Sequence, residues 1–458
     1  MPGSGLNSAY IVLLIDPLPT KIRMKTALCP YNRLSVPLRL VLVSALLFLT
    51  PLPFGRLNGA ERDLYRSDIL TFSGDQKVAV DSLSRDSFLV TLNCKTADAK
   101  QRPPSTYSII LRGIDPVERA LFQDAQGGKW DHFDLFRAAM IVEGVRDIEL
   151  IRAYEARLDA LVARVTAASR SSGDASPQAL TRALFEAMHK EILTQSYSID
   201  CTELSKVMKT GYFNCVSATV LFNCLAEKAG LDVCALEMPG HALSRVRLPN
   251  GASLDPETTC PTWFDLQSDK ERQLAVLQRI APAPAQPNGV TAQNAANAAP
   301  EPLAVLPTNC REISPVQLAA TIYYNIGVDL HAQKRYEEAV AANVKALYLD
   351  RDNEQAWTNL LAYINNWALD VASENKGQRY DVATFLLDQG VALDSTYSNF
   401  RDNYTYVFYH WIRGLALLGR FDDAQRVFDI ANAQSRVPNN ETLKKYIDFV
   451  NLEAQKRR

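Results

Sequence analysis

The chain has 458 residues, 47% hydrophobic and 22% charged. That is ordinary globular composition, which excludes a wholly disordered or fibrous chain, and at roughly 150 residues per domain it predicts two or three domains. Lys and Arg number 49 against 51 Asp and Glu, a net charge of −2, so there is no basic footprint for nucleic acid. The five histidines (His132, His189, His241, His331 and His410) do not pair at metal-ligand spacing, and no Cys-x-x-Cys occurs. Neither a zinc site nor another cofactor is expected.

Residues 1–60 read as an export segment. No acidic residue lies between Asp16 and Glu61, whereas Lys21, Arg23, Lys25, Arg33 and Arg39 precede an apolar run from Leu40 to Leu49. Pro51, Pro53 and Gly55 follow, which completes the order of a secretory signal. The run is shorter than the roughly 20 residues that span a bilayer. A cleaved signal, with Asn58-Gly59-Ala60 as a loose cleavage site, and an uncleaved signal-anchor are the two readings, and Met24 is an alternative start. Export predicts a periplasmic, extracellular or membrane-anchored protein, with membrane contact only if the segment stays uncleaved. With Cys29 inside the signal, Cys94, Cys201, Cys215, Cys224, Cys234, Cys260 and Cys310 remain. This odd number leaves at least one thiol unpaired in an oxidising compartment. Most of them could equally be small buried apolar residues.

Residues 61–175 form a mixed region, with strand-like composition at Ser87 to Cys94 and Tyr107 to Leu111. From Asp134 to Ala168 the pattern is helical, with Ile148, Ile151, Tyr154, Leu158 and Leu161 on one face. Ser176-Pro177 reads as a helix N-cap and first residue, opening a helix to about Leu193. Residues 281–308 are rich in Ala, Pro, Asn and Gln and read as a disordered linker. Residues 309–458 carry helical repeats. Ala320 to Asn353 fits the tetratricopeptide template of about 34 residues, with Tyr323, Ile326-Gly327, Tyr336, Ala339 and Ala346 at its landmark positions. A second unit opens at Trp357 and Leu360, with its second helix displaced to Tyr380, Ala383, Gly390 and Asp394. A third runs from Phe408 through Gly419, Phe421, Ala424, Phe428 and Ala431 to Pro438. Such units stack into a continuous core with a concave face for a protein partner.

The chemistry is expected between Gly211 and Asp265. Val216 to Ala229 has helical apolar spacing, and Gly230 is a suitable stop. Cys215 therefore opens a helix, where unpaired N–H groups and the positive dipole end favour a thiolate and can hold a developing oxyanion. Asp232 to Met238, His241 to Leu248 and Ser253 to Asp255 read as strands. Cys215 as nucleophile, His241 as acid-base and Asp255 as the group that orients the imidazole make a catalytic triad. Register tests this. A two-residue turn at Asn250-Gly251 puts Asp255 opposite Val246, too far from His241 at roughly 3.4 Å per residue. Pairing His241 with Asp255 needs a wider loop centred on Leu248, and that loop is the expectation.

Asn-Cys-Val-Ser-Ala around Cys215, Pro-Gly-His at His241 and Leu-Asp-Pro-Glu-Thr-Thr at Asp255 resemble the core of the transglutaminase-like superfamily, relatives of papain-type proteases. The resemblance implies an α+β fold over residues 176–280, a helix packed on an antiparallel sheet, followed by the all-α repeats. It also implies a Cys-His-Asp site at Cys215, His241 and Asp255. Family-like aromatic residues beside the cleft and a calcium-loop motif are missing, which argues against animal-type protein crosslinking. The family also contains proteases, amidases and inactive members.

Two functions follow. One is an exported cysteine-dependent hydrolase or acyltransferase acting on a protein or peptide amide through a thioester, with the repeats recruiting a protein partner across the tether. The other is a non-catalytic interaction scaffold whose cysteines are structural. Around the triad, Cys224 reads as core, Cys234 and Cys260 as a possible bridge, and His189 as a helix residue that could line the cleft. Glu257 is a candidate to support the triad. Trp263 and Phe264 read as core, and Tyr212 and Asn214 flank the nucleophile.

Overall fold

Local chemistry sets most element boundaries. A computed structural model of the protein describes residues 69–74, 86–95, 106–238, 240–262, 264–265, 310–373, 378–433 and 441–457. The export segment, the linker, Cys29, Pro438 and Trp263 lie outside these residues. Strands β1 (Leu70–Gly74), β2 (Phe88–Asn93) and β3 (Thr106–Leu111) form an antiparallel sheet in the order β1-β3-β2. In β2 the alternation is plain: Phe88, Val90 and Leu92 are buried, while Thr91 and Asn93 are exposed, the signature of a sheet with one covered face.

Helices α1 (Pro116–Asp124), α2 (Leu135–Val142), α3 (Ile148–Ser171), α4 (Pro177–Glu191), α5 (Leu204–Thr210) and α6 (Cys215–Lys228) follow. Asp115, Asp134, Asp147 and Ser176 cap α1 to α4 by accepting first-turn N–H bonds. The helical run expected from Asp134 is broken into α2 and α3 at Gly144, whose φ of +86° suits glycine. Every residue from Cys215 to Ala226 is buried, so α6 is apolar all round and sits at the centre of the domain. It packs on α2, α3, α4 and α5, and on strands β4 (Asp232–Met238) and β5 (His241–Arg247). With β6 (Ser253–Leu254) and β7 (Arg311–Ile313) these make a second antiparallel sheet, ordered β6-β5-β4-β7.

The rest of the chain is helical: α7 (Pro315–Ala332), α8 (Tyr336–Leu349), α9 (Glu354–Val371), α10 (Tyr380–Leu393), α11 (Ser398–Leu417), α12 (Phe421–Ala433) and α13 (Glu441–Arg457). Each packs against the next in chain order. The helix expected from Tyr380 is α10. The fold thus mixes helix and antiparallel sheet and ends in an all-helical region.

These helices are not held at a distance from the α6 domain. Strand β7, which enters α7, pairs with β4, Ala235 opposite Ile313 and Glu237 opposite Arg311. Arg311 donates to Glu237 (2.7 Å) and to Asp350 at the end of α8 (3.1 Å), and Asn353 donates to Glu237 (3.2 Å). Helix α7 also packs on α2 and α6. On the other side Phe88, Phe122, Tyr323 and Tyr348 form an aromatic cluster with centroid separations of 5.0–6.1 Å. The backbone of Lys95 bonds to Leu393 (2.9 Å) and Ser395 (3.0 Å). One continuous core therefore joins both sheets to the C-terminal helices, which replaces the expected picture of repeats acting across a tether.

Candidate active site

The first turn of α6 is fixed from both sides. Asn214 is its N-cap: its side chain accepts the N–H of Ser217 (3.0 Å), and Ser217 Oγ accepts the N–H of Asn214 (3.0 Å). This is a reciprocal capping box with Ser in the place of the usual Glu or Gln. Asn214 Nδ2 donates to the carbonyl of Ile199 (3.0 Å) and to Thr202 Oγ1 (2.7 Å), and Ser217 Oγ donates to the carbonyl of Cys201 (2.6 Å). Cys215, the first residue of the helix, is held by this scaffold. The N–H groups of Cys215 and Val216 have no intrahelical partner.

His241 arrives from the sheet. Met238 pairs directly with His241 across the connection between β4 and β5, where Gly240 takes a φ of +73°. Cys215 is a neighbour of His241 and of the backbone N–H of Ala242, and both act on its sulfur. His241 Nε2 lies 2.7 Å from Glu257 Oε2. Glu257 is 1% exposed. Its other oxygen accepts the backbone N–H of Thr259 (3.0 Å) and the Thr259 hydroxyl.

The electrostatics follow from this contact. Burial opposes ionisation of Cys215, but the hydrogen bond and charge of His241 and the Ala242 N–H outweigh it, so the thiol lies below its ordinary value. Burial also disfavours the charged imidazole of His241. The Glu257 carboxylate and the Cys215 sulfur reverse this and raise it. Glu257 is desolvated too, yet His241 and Thr259 hold it low. His241 thus favours the charged forms of both Cys215 and Glu257, whereas Glu257 itself opposes charge on the Cys215 sulfur.

A polar stripe on α6 supports them, with Cys215, Thr219 and Asn223 one turn apart. Thr219 donates to the carbonyl of Ala242 (3.2 Å) and meets Thr258 Oγ1 (3.0 Å), while Asn223 accepts from Ser244 (2.6 Å). The stripe thus grips both the histidine strand and the Glu257 segment.

The structure brings Cys215 and His241 together and does not bring Asp255 to them. Asp255 is fully buried and takes two hydrogen bonds from Arg245, at 2.7 and 2.8 Å. The cause is register. Leu248 and Ala252 close a loop over Pro249, Asn250 and Gly251 (Leu248 N–H to Ala252 O, 2.8 Å), with Gly251 at φ +83° and Asn250 accepting the N–H of Ala252. That loop pairs Val246 with Leu254, so Asp255 falls beside Arg245 rather than His241, and the wider turn centred on Leu248 is not formed. Glu257, two residues on, reaches the imidazole instead.

The neighbouring residues sort as follows. Cys234 and Cys260 do not bridge, and Cys215 and Cys224 are not in disulfides either. Burial raises the Cys224 thiol well above its ordinary value, as for a core residue. His189 packs edge-on against Phe185 (4.7 Å) and Phe213 (6.1 Å) and is held neutral by burial, its value falling to about 4. Phe264 is buried against Phe185 (5.6 Å). Asn214 is committed to the cap, and Tyr212 is exposed.

No curated protein matches the chain. Residues 152–264 match the transglutaminase-like superfamily, and since that stretch runs from α3 through Cys215, His241 and Glu257, it is a transglutaminase-like domain.

Proposed function

We propose that the protein is a cysteine-dependent amide hydrolase or acyltransferase. The observation that carries this reading is the contact chain from the first residue of α6 through His241 to Glu257. The Cys215 thiolate attacks the amide carbonyl, and the oxyanion forms beside the N–H groups of Cys215 and Val216. The His241 imidazolium gives its proton to the departing amine as the C–N bond breaks, leaving a thioester on Cys215. Water or a second amine then attacks the thioester. His241 takes the proton of that nucleophile and the C–S bond breaks, returning the thiolate beside the imidazolium. Glu257 holds the imidazole in the right tautomer and stabilises its charge in both halves.

We infer that the C-terminal helices are tetratricopeptide-like repeats that present a face to a protein partner. Close packing at small residues supports this: a Cβ at Gly327 would overlap Asn343, and one at Gly390 would overlap Phe400. Export through residues 1–60 belongs to the same proposal and rests on their sequence pattern alone.

The test is a panel of peptidyl aminomethylcoumarin amides with the full-length protein. Wild type is expected to release fluorophore, and Cys215→Ser to release none while keeping its circular dichroism and melting temperature. Equal release by both proteins removes the thiol mechanism. Loss of folding in Cys215→Ser favours the scaffold function.

A further inference from the structure

Three large apolar side chains are partly exposed on the two segments that lead into and brace the start of α6. Tyr197, Ile199 and Tyr212 are 46%, 45% and 42% exposed. They lie on two segments stitched to each other. The N–H of Gln195 donates to the carbonyl of Gly211 (3.1 Å), that of Ser198 to Phe213 (2.8 Å), and Tyr197 pairs with Phe213 as a parallel bridge. Gly211 takes a φ of +80°, and a Cβ there would collide with Thr194. The second segment runs directly into α6, and its Asn214 holds the carbonyl of Ile199 while capping the helix that begins at Cys215. Tyr197 packs on the edge of Phe213 (6.3 Å) and Phe213 on that of His189 (6.1 Å). His189 in turn lies in the field of Glu257. Rings therefore run from the buried side of the site to the surface.

Single apolar side chains on a surface need no explanation. Here three of them lie on hydrogen-bonded segments that cap the helix opening at the nucleophile, an arrangement suited to a subsite that recovers their hydration cost when a ligand covers them. The chemistry gives the side of the substrate. The leaving amine must lie at His241, which protonates it. The acyl remainder then lies with the N–H groups of Cys215 and Val216 and the segment entering α6.

We propose that Tyr197, Ile199 and Tyr212 form an acyl-side subsite, and that the substrate is an amide whose acyl residue carries an apolar side chain, aromatic by preference. The inference rests on the thiol mechanism proposed above and adds a substrate class to it.

The test uses the full-length protein with iodoacetamide and with benzyloxycarbonyl-aminoacyl chloromethyl ketones bearing glycine, phenylalanine, lysine or glutamate side chains. Each reagent alkylates the thiolate, forming an S–C bond and releasing halide, and the Cys215 adduct is followed by peptide mass spectrometry. The phenylalanyl reagent is expected to label Cys215 at least about tenfold faster than the glycyl reagent, the scale of discrimination in an apolar pocket. In Tyr197→Ala, Ile199→Ser and Tyr212→Ala the ratio of phenylalanyl to iodoacetamide rates falls by about threefold or more, because less apolar surface is covered. Rapid iodoacetamide labelling with no phenylalanyl advantage overturns the subsite, as does a preference for the lysyl or glutamyl reagent or a ratio unmoved in all three variants. Failure of iodoacetamide to label Cys215 removes the thiol mechanism, and the subsite falls with it.

Discussion

Replacing Glu257 by Gln separates the two carboxylates that compete for the third position of the site. The Glu257 carboxylate is buried and 2.7 Å from His241 Nε2. At an effective dielectric near 20, charges about 4 Å apart interact by about 4 kcal/mol, or about 3 pKa units; measured shifts from one adjacent opposite charge are about 1–3 units. Gln keeps an acceptor for the imidazole but removes the charge. His241 should therefore lose its proton about 1–3 units lower. The Cys215 alkylation midpoint moves as well, because the Glu257 charge acts on both His241 and the Cys215 sulfur. Asp255→Asn provides the comparison. It removes the ion pair with Arg245, which keeps Glu312 as a partner (2.8 Å), so it costs about 1–3 kcal/mol of stability and leaves the Cys215 midpoint in place. The assay is the pH dependence of Cys215 carbamidomethylation by quenched-flow mass spectrometry. A midpoint that moves in Asp255→Asn and stays fixed in Glu257→Gln would refute the assignment.

Three further outcomes test the scaffold. Glu227 on α6 is raised to about 7, first by burial and then by Asp134. A carboxyl raised on folding costs stability as pH climbs from its unfolded value toward 7. Glu227→Gln should therefore stabilise the protein by about 1–2 kcal/mol at pH 8 and hardly at all near pH 4, as read from urea unfolding at the two pH values; equal effects at both contradict the buried carboxyl. Gly390→Ala forces a Cβ into the fully buried Phe400 ring and should cost about 1–3 kcal/mol in thermal unfolding, whereas a neutral result means that α10 and α11 pack less closely than described. Arg311→Gln leaves Asp350 and Glu237 without their shared cation across β4 and α8. It should destabilise the protein by about 3 kcal/mol or more, with the transglutaminase-like domain and the helices melting in one transition; two separate transitions would contradict a common core.

Much of this architecture was legible from local sequence. Asn214 before Cys215 announces the helix start because its side chain can cap one, and the apolar periods of β4 and β5 give both strands their observed starts. The close approach of α7 and α8 was readable from Gly327, the small residue such a helix pair needs. The third member of the site was not readable by order alone. Asp255 and Glu257 have the same side-chain chemistry and stand two residues apart, on the same face of an extended chain. Which one meets His241 depends on the register set by Pro249-Asn250-Gly251. The signal was present in that turn, since a three-residue loop with glycine in the left-handed position pairs Val246 with Leu254. Strand β7 is too short to show a period, and its partner β4 lies across the linker, so its pairing is a tertiary event. For the same reason the union of the two halves into one core left no periodic trace.

The most direct measurement is a competition among the thiols. With the native protein at pH 6 and limiting iodoacetamide, peptide mapping reports which cysteine reacts first. Exposure alone favours Cys260 and Cys310, which are partly exposed, over Cys215, which is 8% exposed. An ion pair with His241 reverses that order, because the thiolate is the reactive species. Cys215 is predicted to be labelled first, with a midpoint below that of a free thiol. Labelling in order of exposure, with Cys215 silent until alkaline pH, would contradict the account.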